Sequence, residues 1–183
     1  MLARTWKHTG KDEYIDVAES AVRYSCERQL SDGAWWYGED PKYHWIDNFH
    51  TAYNLDSLKR YAESSGDRSF DPHIHKGYEY FKKVFFEESG CPRYYHNRTY
   101  PVDIQCAAQA IDTFSFFATE DPHALDRAVH VANWTIDQMQ ASGGNFYYRQ
   151  YPWLKARTPY FHWGQATMFK ALSHLLFRLG HAN

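Results

Sequence analysis

Asp32-Gly33-Ala34-Trp35-Trp36-Tyr37, Ser89-Gly90-Cys91-Pro92-Arg93-Tyr94-Tyr95 and Gly143-Gly144-Asn145-Phe146-Tyr147-Tyr148 are three versions of one phrase. Each sets glycine ahead of a run of aromatics. Each is followed, after further polar and aromatic residues, by an apolar segment rich in small side chains: Asn48 to Leu58, Ile104 to Phe114 and Gly164 to Leu172. Aligning Leu2, Leu58, Phe114 and Leu172 gives spacings of 56, 56 and 58 residues. The same register superposes Gly10, Gly66 and Gly180, with Pro122 in the remaining place. A near-constant period of this length is the mark of stacked supersecondary units.

Each unit reads as two helices. The first helices, roughly 12–29, 72–86 and 122–140, are amphipathic; in the first of them Tyr14, Val17, Ala18, Ala21 and Val22 recur at three- and four-residue spacing. The pairs Asp71-Pro72 and Asp121-Pro122 fit an N-cap followed by proline at the first helical position. The second helices, roughly 47–64, 102–118 and 163–179, carry fewer charges and more small residues, such as Ala107, Ala108 and Ala110. That composition suits a helix enclosed by others. The first kind is therefore expected outside and the second inside. Hairpins that cannot bury their apolar faces alone stack side by side and curve. The expected fold is all-α: one domain of three αα-hairpin repeats over 10–65, 66–121 and 122–180, forming part of a ring. The long loops and the inner-helix N-termini are expected at one end, with residues 1–9 as the end of a truncated inner helix. This phase predicts either an N-terminal half upstream or a second copy, as in a homodimer, covering the open first hairpin.

Composition bounds the function. Of 183 residues, 44% are apolar and 19% aromatic, enough for a sizeable core with aromatics left over. Lys+Arg 20 against Asp+Glu 22 leaves a net charge of −2, which argues against a phosphate-neutralising nucleic-acid surface. No apolar run approaches the roughly 18–20 residues of a membrane span, and the first residues lack a signal-peptide core, so a cytoplasmic location is expected. Cys26, Cys91 and Cys106 make neither a disulfide framework nor a CxxC zinc site. His73 and His75 sit two apart, on different faces of a helix, and His44 and His50 lack a clear third ligand. No metal or cofactor is expected.

Asp32-Gly33-Ala34-Trp35-Trp36-Tyr37-Gly38 and Tyr100-Pro101-Val102-Asp103-Ile104-Gln105-Cys106-Ala107-Ala108-Gln109-Ala110 resemble the (α/α) toroid proteins. That group includes six-hairpin glycosidases, polysaccharide lyases, uronyl epimerases and the terpenoid cyclase barrels. The resemblance covers nearly the whole chain and points to the C-terminal half of bacterial toroid proteins of polysaccharide biosynthesis. It implies a polysaccharide or oligosaccharide partner and, if the protein is an enzyme, glycosidase, lyase or epimerase chemistry. The terpenoid branch fits less well, because the chain has no Asp-x-Asp-Asp string and no Cys–His pair at zinc-ligand spacing.

The loops hold the candidate substrate-binding residues. These are Trp35, Trp36, Tyr37, His44 and Trp45 in the first, Arg93, Tyr94, Asn97 and Arg98 in the second, and Tyr147, Tyr148, Arg149, His162 and Trp163 in the third, which also offers Arg157 and Tyr160. Pyranose rings present apolar C–H faces and hydroxyl edges, so flat aromatics beside Arg, Asn and His suit them. Arginine also pairs bidentately with uronate or sulfate. A residue repeated in every unit is more often architecture than site, which weighs on Trp36/Tyr37, Tyr94/Tyr95 and Tyr147/Tyr148. The candidate catalytic residues are less regular. Asp47 and His50 are spaced i, i+3 at the start of an inner helix, and Asp103 occupies the place of Asp47 one repeat later. Two carboxylates are what glycoside hydrolysis requires, although Asp at that position also caps a helix. Tyr95 and His96, beside Asn97 and Arg98, offer instead the proton-transfer groups of a lyase or epimerase. A non-catalytic assembly module is the alternative from another class.

Overall fold

A computed structural model describes residues 1–181. Among the described residues there are seven α-helices: α1 (Leu2–Thr9), α2 (Asp12–Glu27), α3 (Asn48–Ser65), α4 (Asp71–Val84), α5 (Ile104–Phe117), α6 (Ala124–Met139) and α7 (Thr167–Gly180). A π-helical segment, Phe161–Ala166, leads into α7. Three two-residue strands, β1 (Val102–Asp103), β2 (Arg149–Gln150) and β3 (Lys155–Ala156), form an antiparallel sheet in the order β1-β2-β3. The chain divides into two compact units. The first comprises Met1–Ile46 and Tyr53–Lys83, and the second Asp47–Ala52 with the chain from Val84 onward.

In the first unit α1 packs on α2. Helix α1 ends at Gly10 (φ 69°), whose N–H bonds to the Trp6 carbonyl, and α3 ends at Gly66 (φ 79°), whose N–H bonds to the Ala62 carbonyl. Both glycines adopt the left-handed cap that ends a helix without a Cβ penalty. Trp35 is buried, and its indole N–H donates to the Ser25 carbonyl at 2.8 Å. Leu55, Leu58, Ile74 and Phe81 fill the core of this unit.

The three quoted phrases fold alike. Gly33, Gly90 and Gly144 donate to the carbonyls of Leu30, Glu87 and Ala141, whose own N–H groups reach the carbonyls of Ala34, Cys91 and Asn145, all at 2.8–3.0 Å. Each glycine sits at φ near +90° to +100° (103°, 89° and 88°). A Cβ at Gly90 would lie 2.9 Å from the His130 carbonyl oxygen, whereas one at Gly144 would meet nothing within 4 Å. Gly144→Ala is therefore expected to cost about 1 kcal/mol of backbone strain, and Gly90→Ala about 2–4 kcal/mol, since the clash adds to the strain. Chemical denaturation of both variants checks the difference.

In the second unit α5 lies between α6 and α7 and is buried along nearly its whole length. Its Ala107, Ala108 and Ala110 let neighbours approach, while Ile111 and Phe114, with Phe85, Met139, Phe146 and Met168, are buried in the core of this unit. Such a helix needs no polar face, which is why its amphipathic signal is weak in sequence.

The structure departs from the sequence expectations in four places. Val102 and Asp103 are a strand rather than the start of a helix, because Arg149 and Gln150 supply ladder partners across the chain. Asp121-Pro122 forms a turn ahead of α6, with the Asp121 carboxylate accepting from the His123 N–H, and His123 takes the cap position. Asp71 is the first residue of α4, one position inside the expected cap. Helix α7, expected to be enclosed, leaves Phe169, Leu176 and Phe177 exposed (76%, 69% and 58%). No helix of the described residues is long and apolar enough to cross a membrane.

Candidate functional site

In the second unit two inner-helix starts are tied to the loop that follows each helix pair. The Asn48 N–H donates to the Tyr94 carbonyl (2.9 Å), and the Ile104 N–H to the Tyr148 carbonyl (3.1 Å). Asp47 bridges Tyr95 as Asp103 pairs with Arg149 in the sheet. This ladder makes Tyr94 equivalent to Tyr148 and Tyr95 to Arg149. The alignment of Tyr94/Tyr95 with Tyr147/Tyr148 by sequence is thus one residue out of phase.

Two carboxylates cap these helix starts. Asp47 Oδ1 accepts the His50 N–H at 3.0 Å, and both carboxylate oxygens lie 2.9 Å from His50 Nδ1. A carboxylate oxygen accepts, so His50 Nδ1 is the donor in this contact. The Asp47 side chain is 1% exposed and that of His50 40%, so the pair consists of a buried anchor and a reachable imidazole. Asp103 accepts the Gln105 N–H at 2.9 Å and Arg149 Nε at 2.5 Å. Burial pushes the Asp103 carboxyl up from its ordinary range, and Arg149 only partly offsets this. Burial opposes the Arg149 charge in turn, but Asp103 holds that guanidinium protonated more firmly than usual. Cys106 is fully buried, and burial pushes its thiol far up, with Asp103 and Asp47 adding to the shift, which disfavours the reactive thiolate.

Aromatic rings frame these pairs. The Arg149 guanidinium lies over Tyr148 (4.8 Å) and Tyr94 (5.3 Å), and that of Arg98 over Tyr95 (4.3 Å). Tyr94 packs on Tyr95 at 4.5 Å and meets Phe49 edge-on, while Tyr148 meets Tyr160 edge-on at 4.8 Å. Burial, with Asp47 close behind, pushes the Tyr94 hydroxyl well above its usual range and keeps it a neutral donor. Tyr147 lies under Arg157 at 5.6 Å, and His162 and Trp163 are exposed within the π-helical segment. Arg93 is committed elsewhere, with Nε and an Nη nitrogen on the Glu87 carboxylate at 2.8 and 3.0 Å. His96 is half-buried and Asn97 exposed in the same loop.

In the first unit Trp36 stacks on His44 (4.8 Å) and Tyr37 on Trp45 (4.4 Å). Trp35 faces inward and serves the core. Two features of the second unit escape sequence reading. Asn48 is fully buried with neither amide atom hydrogen-bonded, a cost of about 1–3 kcal/mol placed beside Asp47. The Gln165 amide brackets the Phe146 backbone, accepting its N–H and donating to its carbonyl, both at 2.8 Å. No sequence signal separates either amide from an ordinary surface one. Among the described residues, no three His, Cys, Asp or Glu side chains converge as metal ligands.

No family model matches the chain, and neither does any curated protein. Solved structures do. The chain is similar to a sugar epimerase from a ruminal bacterium (TM-score 0.75, 13% identity), covering 97% of this chain and 51% of that one. It is similar to cellobiose 2-epimerase from Spirochaeta thermophila DSM 6192 (TM-score 0.78, 12% identity; 99% and 50% covered). It is also similar to an unsaturated glucuronyl hydrolase from Bacillus sp. GL1 (TM-score 0.73, 14% identity; 95% and 52% covered). The fold is therefore that of half an (α/α) toroid, and the chain spans about half the length of the solved structures it matches.

Proposed function

We propose that the second unit binds a saccharide against Tyr94, Tyr95 and Tyr148, and that His50 moves a proton on it. This is the reading expected of a protein of polysaccharide biosynthesis or modification, and the sugar-processing proteins that share the fold support it. The observation that carries it is the Asp47–His50 pair: a buried carboxylate fixes the tautomer of a solvent-reachable imidazole at the first turn of an inner helix. As His50 takes a proton, Asp47 stabilises the imidazolium, and proton transfer by a positioned imidazole is worth about 10²–10⁴ in rate. Hydrolysis by an Asp47/Asp103 carboxylate pair is favoured less, because both side chains are nearly inaccessible and committed to caps. Asp47 then acts through His50 as a positioning residue, and Asp103 acts on Arg149. Tyr95 and His96 line the same loop as secondary proton-transfer candidates.

Epimerase- or lyase-type proton transfer makes the substrate exchange hydrogen with solvent. Incubation with an oligosaccharide panel in D2O is expected to label a ring carbon by NMR. His50→Ala should reduce labelling at least 100-fold while leaving binding intact. Labelling unchanged in His50→Ala ends the catalytic assignment.

A second reading rests on α7. The row Phe169, Leu172, Leu176 and Leu179 repeats at 3–4 residues, with Leu172 half-buried and the other three exposed, the pattern of a face made to be covered. In this reading the chain is an assembly module whose α7 packs on a second copy or on further hairpins. Self-association in light scattering is its signature.

A further inference from the structure

The net charge of −2 conceals a local separation of sign. Residues 92–101 and 145–166, the two loops that frame the candidate site, contain Arg93, Arg98, Arg149, Lys155 and Arg157 and not one Asp or Glu. Nearby carboxylates neutralise only part of this. Glu87 takes Arg93 and Asp103 takes Arg149, while Lys155 Nζ donates to the Gln138 carbonyl. Arg98 and Arg157 are exposed, and among the described residues no carboxylate pairs with either. Each guanidinium instead lies over a tyrosine, Arg98 on Tyr95 and Arg157 on Tyr147. Stacking holds the planar fork flat and leaves its N–H edge available for an in-plane oxyanion.

We propose that the saccharide bound at this site is anionic, with its carboxylate or sulfate groups read by Arg98 and Arg157. The proposal rests on the saccharide reading and adds the charge of the ligand. The physical case is one of sign. A neutral sugar gains nothing from two unpaired guanidiniums, whereas a uronate or sulfate meets donors that are pre-oriented and lack a competing internal acceptor. The tyrosines supply apolar surface beside the guanidiniums that lie over them, and the arginines select among the sugars that bind there.

The experiment is calorimetric titration of the chain with four probes: an oligogalacturonate, its fully methyl-esterified form, a sulfated neutral oligosaccharide and a single-stranded RNA of matched charge. The oligogalacturonate or the sulfated probe is expected to bind about tenfold or more tighter than the methyl ester, with affinity falling as salt rises. Which of the two binds better identifies the oxyanion. Arg98→Gln and Arg157→Gln, both at exposed positions, should each remove about tenfold of that preference, weakening binding of the anionic probe more than that of the methyl ester, with circular dichroism confirming the fold. Binding of the oligogalacturonate and of the sulfated probe that is in both cases no tighter than that of the methyl ester overturns the charge assignment while the saccharide site stands. Absence of binding by every saccharide to the folded protein overturns both. RNA binding tighter than every saccharide overturns the proposal in favour of a nucleic-acid partner.

Discussion

Asp103→Ala is expected to lower the unfolding free energy by about 3–5 kcal/mol, because it strips a partly buried Arg149 of its counter-charge. The substitution also removes the α5 cap accepted from the Gln105 N–H, about 1 kcal/mol of that figure. Asp103→Asn keeps a cap acceptor and should cost less. Pairing Asp103→Asn with Arg149→Met is expected to recover part of the loss, since an apolar side chain of similar length leaves no unpaired charge among Tyr94 and Tyr148. Urea denaturation of the two single variants and the double variant yields the coupling energy directly. Additive losses would show that the ion pair is not what holds the sheet to α5. The proposed saccharide site adds a separate expectation: Arg149 lies over both Tyr94 and Tyr148, so the double variant should regain stability without regaining the proposed binding.

Acid should release α7 from α5, and Asp112→Asn should imitate acid. The buried Asp112 carboxylate receives Lys170 Nζ at 2.6 Å and His174 Nδ1 at 2.8 Å. Burial alone would raise its pKa, but the hydrogen bonds from His174 and Lys170 outweigh burial and hold it below the ordinary carboxylate range. A depressed folded-state pKa means that the stabilisation is present above the unfolded value, near 3.9, and is lost as pH falls through the folded value. Stability should therefore fall off below about pH 4, and Asp112→Asn should flatten that limb. At neutral pH the variant is expected to lose about 2–3 kcal/mol, at the lower end for a buried pair because Lys170 is largely solvated. Thermal melts from pH 3 to pH 7 on both proteins measure the two quantities. An unaltered acid limb in the variant would place the titrating group elsewhere.

Much of the fold was legible because it repeats. The likeness of the phrases around Gly33, Gly90 and Gly144 located the loops, the spacing of Leu2, Leu58, Phe114 and Leu172 gave the period, and the caps at Gly10 and Gly66 located the inner-to-outer turns. Each of those glycines answers a local backbone demand, to which the close approach of the Lys76 and His130 carbonyls adds at Gly33 and Gly90. The helix layers followed from composition for α5, whose alanines and single charged residue, Asp112, do mark an enclosed helix. The same inference overreached for α7, since an apolar face records only a tendency to be buried and not whether a neighbour exists to bury it. The site was legible in part. The i, i+3 spacing of Asp47 and His50 foretold their meeting because one helical turn fixes it.

What the chain alone determined, then, is everything set within about one turn or one period: the three hairpins, their glycine turns, the capping carboxylates and the Asp47–His50 contact. Tertiary structure decided the long-range pairings. It set Asp103 against Arg149, 46 positions apart, Asp112 against His174, 62 apart, and the phase that matches Tyr94 with Tyr148. Local propensity cannot choose among several arginines and several carboxylates of equal chemistry. Only the backbone ladder and the packing around α5 select which of them are brought within hydrogen-bonding distance.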